Sequence, residues 1–364
     1  MFGYTKMNGE MKKMINVHKK RALFVFWQFN GDNRCYCQLA CPECYGKGIR
    51  TFLHYWNGKI NEWEKAFEKL NRDIYFVFSY GEAMVSKGFY ECVDMIGRHP
   101  NWTLNIITNF MADPTRLLKT KLAKDKRLFL TTCWHPEGVD DPVKGWETFK
   151  QHLLMAKTAG VPIHVMMVWF PFVIKRFPEY FEWFDKNDFR VGVRRFVNTQ
   201  TPLLQKLFRR YLPRWFAGKF TLENYSEAER GYIYAYTCPK VTKYGLNLAS
   251  SYGVSCSAGK DMILVEHDGT VKLCACCYGS NHRLGNIFND GFKLNKQNIK
   301  CPTNNCGGDF GMLHLIDEEF GPLPDKLWND TFISQVENLK QSSPVAYHNR
   351  EEMLKWLEKL KEER

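Results

Sequence analysis

The chain has 364 residues, 45% of them hydrophobic and 15% aromatic, enough for a large buried core and about two domains. Its formal net charge of +12 favours an acidic partner, whether phosphate, carboxylate, nucleic acid or anionic membrane, without choosing among them. No stretch approaches the roughly 20 apolar residues of a membrane span, and Lys6, Lys12, Lys13, Lys19 and Lys20 precede the first apolar run without a signal-peptide core, so a cytoplasmic location is expected.

Residues 1–21 read as an N-terminal extension. From 22 to 200 apolar runs alternate with amphipathic stretches, the pattern of repeated strand-helix units. Strands are predicted over Ala22 to Asn30, Ile74 to Tyr80, Thr103 to Thr108, Leu128 to Thr132, Ile163 to Phe170 and Val191 to Val197. Most are almost continuously apolar, as strands buried on both faces must be, which favours a parallel sheet. Helices are expected between them. Ile60, Trp63, Phe67 and Leu70 share one helical face, as do Trp146, Phe149, Leu153 and Ala156, while Ser86 to Arg98, Pro114 to Lys124 and Pro178 to Asp188 fill the other gaps. The fold class read from this is α/β, a partial (β/α)6 barrel with its active site at the C-terminal strand ends.

A basic, aromatic connection follows over 201–238, where Arg209, Arg210, Arg214 and Lys219 are interleaved with Phe208, Tyr211, Trp215 and Phe216. It suits an anionic substrate, an anionic lipid surface, or simply a helix packed on the barrel. A second domain is expected over 239–320, with short strands and the turn His267-Asp268-Gly269, and a charged helical tail over 321–364 with Met353, Trp356, Leu357 and Leu360 as its apolar stripe.

The chemistry lies in the cysteines. Of thirteen, three fall within residues 37–44 and six within 256–306. In a reducing compartment, thiols grouped this closely read as metal ligands rather than disulfides. CQLACPECY places Cys37, Cys41 and Cys44 in a CxxxCxxC spacing just after the first predicted strand. Three thiolates bind three irons of a cubane and leave the fourth open, whereas electron-transfer clusters use four cysteines. A zinc site is the competing reading, although paired CxxC units would then be expected.

This loop resembles the signature of the radical S-adenosylmethionine superfamily. The resemblance implies that the open iron of a site-differentiated 4Fe-4S cluster chelates the amino and carboxylate groups of S-adenosylmethionine. It further implies reductive cleavage to a 5'-deoxyadenosyl radical that abstracts a hydrogen atom from an unactivated carbon. Glu43 stands before the third cysteine where the family often has an aromatic residue, and Tyr45 follows it as the candidate to cover the adenine. A Gly-Gly-Glu-Pro element is expected at the end of the second strand, and the chain has Tyr80-Gly81-Glu82-Ala83 there. Gly81 lets the backbone approach a ligand and Glu82 suits an ammonium. Asn109, Thr132 and His135, at the ends of the third and fourth strands, are carried over as contacts to ribose or carboxylate, with helix capping or loop filling as the plain alternative.

CSAGKDMILVEHDGTVKLC, from Cys256 to Cys274, resembles the opening of the SPASM and twitch auxiliary-cluster domains, with a hairpin turning at Asp268-Gly269. The longer cysteine series of the full SPASM pattern is missing. The resemblance therefore implies one auxiliary 4Fe-4S cluster on Cys256, Cys274, Cys301 and Cys306, with Cys276 or Cys277 as alternative ligands and a zinc ribbon as the competing reading. Cys133, Cys238, Cys276 and Cys277 are further candidates to return a hydrogen atom to a substrate radical, against the plain reading of buried cysteines as small hydrophobes.

The expected protein is thus a radical S-adenosylmethionine oxidoreductase or maturase, served by a reductant such as flavodoxin or ferredoxin. Its substrate would be a peptide or a small amino-sugar-like molecule, and the basic charge allows an anionic one. About twenty residues precede the first predicted strand, too few for the leader-peptide recognition domain of many peptide maturases, so a small molecule or a peptide enzyme without that domain is the expectation. The alternative class is a non-enzymatic zinc-ribbon protein binding nucleic acid, which explains the cysteines and the charge but not the placement of the CxxxCxxC loop or of the Gly-Glu pair.

Overall fold

The computed structural model describes residues 22–31, 37–39, 41, 56, 58–79, 81–169, 173, 176–189, 191–195, 225–236, 249–275, 282–304, 306 and 314–316, together with 355, 356, 358, 359 and 362 in the tail. Cys44, Tyr45, Tyr80, Cys238, Cys276, Cys277 and residues 201–224 of the basic aromatic connection lie outside these residues.

Six strands, β1 (Leu23–Gln28), β2 (Ile74–Phe78), β3 (Trp102–Thr108), β4 (Leu128–Cys133), β5 (Ile163–Trp169) and β6 (Val191–Arg195), pair in chain order and all in parallel. Helices α1 (Ile60–Glu68), α2 (Phe89–Arg98), α3 (Thr115–Leu118), α4 (Lys121–Lys124), α5 (Pro142–Thr158) and α6 (Phe177–Lys186) cover the outer face, so the chain is a mixed α/β partial barrel. The single helix expected over Pro114 to Lys124 is two short pieces, because Thr120 turns extended and caps α4 by accepting from the Ala123 amide at 3.4 Å. Asp141 caps α5 by accepting from Val143 and Lys144, and Gly160, with φ at +71°, ends the turn after it.

Alternation divides each strand between two cores. Leu23, Val25 and Trp27 of β1, Ile74 and Phe76 of β2, and Leu128 and Leu130 of β4 pack outward against helices bearing Trp63, Phe67, Ile96 and Phe149. Phe24, Phe26, Tyr75, Val77 and Phe129 point the other way, into the barrel. The aromatic residues that make the β1 region so apolar interlock there, with Trp27 rings 4.9 Å from both Trp63 and Phe67.

Three C-terminal strands extend the barrel sheet and three others form a small sheet of their own. After α7 (Glu227–Tyr236) and β7 (Ser255–Cys256), β8 (Met262–Glu266) pairs in parallel with β1, from Phe24 opposite Met262 to Gln28 opposite Glu266. β9 (Thr270–Lys272) and β10 (Arg283–Asn286) then add antiparallel strands, giving one nine-stranded sheet. The β8–β9 turn uses Gly269 at φ +85°, while Asp268 Oδ1 accepts from the Thr270 amide at 2.9 Å. A small second sheet sets β7 between β11 (Ile299–Lys300) and β12 (Leu315–Ile316). Ser226 and Glu229 form a reciprocal capping box at the start of α7, and Trp356 of the tail lies against Gly231 of that helix.

Candidate active site

The C-terminal ends of β1 to β4 bring the predicted N-terminal site together. Asn109, just past β3, donates from Nδ2 to Cys37 Sγ at 3.5 Å, and its Oδ1 accepts from Gln38 Nε2 at 3.1 Å. The Leu39 amide also reaches Cys37 Sγ, at 3.4 Å. Such N–H donors suit a sulfur that carries negative charge.

Glu82 is wholly buried at the end of β2. Its Oε1 accepts from Thr108 Oγ1 at 2.8 Å and from the Met84 amide at 3.1 Å, and its Oε2 accepts from the Asn109 amide at 2.7 Å. Burial pushes the carboxyl upward from its ordinary range, opposed by those three donors. The carboxylate therefore ties the β2 turn to the β3 end and, through Asn109, to Cys37. Gly81, with φ at +59°, supplies the left-handed corner that turns the chain there.

The loop after β4 closes on Cys41. A side chain at Gly138 would overlap Cys41 Sγ, which fixes how tightly the two loops meet. Cys41 Sγ, a His135 ring nitrogen and a Glu137 carboxylate oxygen lie within 4.8 Å of one another, the one such trio among the described residues. His135 Nδ1 and Glu137 Oε1 are 2.9 Å apart. Burial works to lower the His135 pKa, but the charges of Cys133, Cys41 and Glu137 outweigh it and hold the imidazole well above its usual value. Sequence reasoning does not single out Glu137. Its Oε2 is buried without a hydrogen-bond partner, and its only sequence signal is its place two residues beyond His135 in a strand-end loop.

Thr132 is fully buried with an unpartnered hydroxyl, and it shares the parity of Leu128 and Leu130, which pack outward against the helices. Its neighbours Thr131 and Cys133 carry the inward parity. Tyr45, Tyr80 and Cys44 fall outside the described residues.

The second cysteine group converges as well. Cys256, Cys274, Cys301 and Cys306 are all buried in one apolar cluster with Phe24, Phe26, Tyr75, Met262, Leu264 and Leu315. Cys256 sits opposite both Ile299 and Leu315 in the small sheet, and its Sγ accepts from the Ala258 amide at 3.4 Å. The Cys301 amide donates to the Val254 carbonyl at 2.7 Å. His314, also buried, contacts Ser257 Oγ at 2.9 Å and lies edge-on to Phe24 at 5.2 Å.

The order of these strands, six parallel and three more added beside β1, forms a mixed α/β fold shared with solved structures that hold AdoMet. Among solved structures, native anSMEcpe with bound AdoMet and Kp18Cys peptide matches with a TM-score of 0.52 and 13% identity, over 93% of this chain and 96% of that one. Hexahistidine-tagged anSMEcpe with bound AdoMet matches with a TM-score of 0.50 and 15% identity, over 73% and 75%. SuiB of Streptococcus suis bound to S-adenosylmethionine matches with a TM-score of 0.48 and 14% identity, over 78% and 69%. Neither a protein-family model nor a curated protein matches the sequence. No helix among the described residues is long and apolar enough to cross a membrane.

Proposed function

We propose that this chain is a radical S-adenosylmethionine enzyme that modifies a peptide, holding a site-differentiated 4Fe-4S cluster on Cys37, Cys41 and Cys44 and an auxiliary cluster on Cys256, Cys274, Cys301 and Cys306. The observation that carries the reading is the hydrogen-bonded chain from Glu82 through Asn109 to Cys37, which ties the CxxxCxxC loop to the ends of β2 and β3 within a shared fold. The peptide is favoured because the anSMEcpe structure matched over nearly the whole of both chains holds one.

The donor set fits the clusters. Cys256, Cys274, Cys301 and Cys306 lie buried together in one apolar cluster, which suits four thiolates around a single centre. Glu137, grouped with Cys41 and His135, has a buried carboxylate oxygen, Oε2, without a hydrogen-bond partner.

When bound, the N-terminal cluster would supply the electron that cleaves S-adenosylmethionine to the 5'-deoxyadenosyl radical. The residues of the chain orient and shield. Asn109 and the Leu39 amide steady the Cys37 sulfur, and Gly81 leaves room for the methionyl group. Tyr45 would cover the adenine and Tyr80 and His135 would line the rest of the cosubstrate pocket, whereas Thr132, on the helix-packed face of β4, is withdrawn from it. The apolar barrel interior keeps water from the reacting carbon. A flavodoxin or ferredoxin serves as reductant in the cytoplasm.

Protein purified and reconstituted without oxygen should hold about eight irons per chain, four for each cubane, and should form 5'-deoxyadenosine with dithionite. Cys41→Ala should abolish that product. Colourless protein containing zinc, or wild-type cleavage in Cys41→Ala, would overturn the reading.

A further inference from the structure

We propose that Gln28 and Asn105 form a complementary pair inside the barrel that recognises a peptide group of the substrate, an inference that rests on the peptide-modifying reading above. Strand alternation puts Gln28 on the face of Phe24 and Phe26, Asn105 on the face of Ile107, and Thr131 on the face of Phe129, all opposite the helix-packed side. Gln28 is 2% exposed and Asn105 is fully buried, yet Gln28 Oε1 and Asn105 Nδ2 have no hydrogen-bond partner. A buried polar atom left so costs roughly 1–3 kcal/mol. Two of them among the inward-facing Phe26, Val77 and Phe129 are a standing penalty that an apolar residue would remove.

The two orphans differ in polarity, and that difference selects the ligand. Thr131 Oγ1 donates to Asn105 Oδ1 at 3.2 Å, so the unmet end of that amide is its Nδ2 donor. Gln28 offers a free acceptor. A carboxylate would satisfy only Asn105, and an ammonium only Gln28. A secondary amide presents a carbonyl to one and an N–H to the other, from opposite edges of one planar group. Register fits this division. Asn105 aligns with Val77 and Phe26, while Gln28 lies two residues nearer the strand ends and two strands away. The two backbones are therefore offset by about 10 Å across the sheet and about 7 Å along it, a span for a group with two separated ends rather than one atom. Gln28 also closes β1, directly before the loop that carries Cys37 and Cys41, so the carbons flanking the bound amide would face the reaction chamber.

The test uses the anaerobically reconstituted holoprotein and saturation-transfer NMR. The probes are N-acetyl-alanyl-alanine methylamide, its depsipeptide counterpart with ester oxygens for N–H groups, and myo-inositol. The blocked peptide should bind the wild type, the depsipeptide and the polyol about tenfold more weakly, and Gln28→Leu and Asn105→Leu should each lose about tenfold in peptide affinity, as for one buried hydrogen bond. Gln28→Leu should also unfold at a temperature no lower than the wild type, since it removes an unmet acceptor. Equal binding by wild type and variants, equal binding of peptide and depsipeptide, no peptide binding, preference for the polyol, or a lower melting temperature in Gln28→Leu would overturn the proposal. Failure of the enzyme reading is seen separately, as wild-type protein that holds no iron or leaves S-adenosylmethionine intact.

Discussion

Replacing Gly138 with alanine should empty the N-terminal iron site while leaving the barrel folded. Gly138 sits in the loop after β4, where its amide donates to the His135 carbonyl at 3.0 Å. An added methyl carbon would overlap Cys41 Sγ and stand 3.1 Å from Leu39 Cβ and 3.3 Å from the Cys41 amide nitrogen. Carbon contacts settle at about 3.5–4.0 Å, so Leu39 must yield a few tenths of an ångström and the sulfur about 1 Å or more. Metal–ligand distances are fixed to about 0.2 Å, and a ligand displaced by that much leaves its iron. Overpacking of this kind costs about 1–3 kcal/mol, a fall in melting temperature of about 2–10 °C for a chain of this size. Iron content after anaerobic reconstitution should drop from about eight to about four per chain, the complement of the remaining site. Formation of 5'-deoxyadenosine should fall at least about 100-fold, as expected for a misplacement of about 1 Å. A Gly138→Ala protein with full iron and wild-type cleavage would refute the close approach of these two loops.

Glu82→Gln keeps the shape but turns an amide donor toward the Asn109 or Met84 N–H, so urea denaturation should show a loss of about 2–3 kcal/mol; a loss below about 0.5 kcal/mol would mean that the carboxylate is not the tie between β2 and β3. Trp27→Ala removes a ring that meets Trp63, Phe67, Phe76 and Phe78, and should cost about 3–5 kcal/mol by the same measurement. Glu64 is held below its ordinary value of 4.5, chiefly by its hydrogen bond from Arg98 and then by His99, against the opposing effect of burial. A carboxyl lowered in the folded state contributes stability that is present above its unfolded pKa and lost as pH falls through the folded one. The urea midpoint should therefore decline more steeply below about pH 4.5 in the wild type than in Glu64→Gln, and identical slopes would remove Glu64 from the acid response.

Much of the barrel is legible in the sequence, because strands buried on both faces must be almost continuously apolar, as LFVFWQ and IYFVF are. The helix faces of Trp63 with Phe67 and of Phe149 with Leu153 follow from their spacing in the same way. The break at Thr120 is hidden, since a hydroxyl in an amphipathic stretch reads equally as a helix surface or as a cap. What periodicity cannot announce is long-range pairing. The hairpin from Met262 to Lys272 is visible from its turn, but nothing local tells β8 to lie in parallel beside β1 rather than to found a sheet of its own. The candidate site divides similarly. Spacing and strand ends single out Cys37, Glu82 and Asn109, which hydrogen bonds link in the structure, whereas the unmet atoms of Glu137, Gln28 and Asn105 emerge only from burial. Three bonds from within the protein to the Glu82 carboxylate carry no signal in the sequence.

The β8–β1 pairing fixes the relation between the two groups of thiols. Cys37 lies beyond the C-terminal end of β1, whereas Cys256 precedes β8 and shares an apolar cluster with Phe24 near the start of β1. Strands rise about 3.3 Å per residue, so β1, six residues from Leu23 to Gln28, spans roughly 17–20 Å between the Phe24 end, where the Cys256 cluster packs, and the loop that bears Cys37. Phe24, Phe26, Tyr75 and Phe129 fill the lower part of that interval, and Asn105 and Gln28 stand above them. A substrate held by the upper layer would thus rest on an aromatic floor whose far side is the C-terminal thiol pocket. Substitutions at Phe24 or Tyr75 should consequently be felt in both places, as lost packing around Cys256 and as a displaced Asn105, and the two effects should not separate as they would if the C-terminal part were an independently folded appendage.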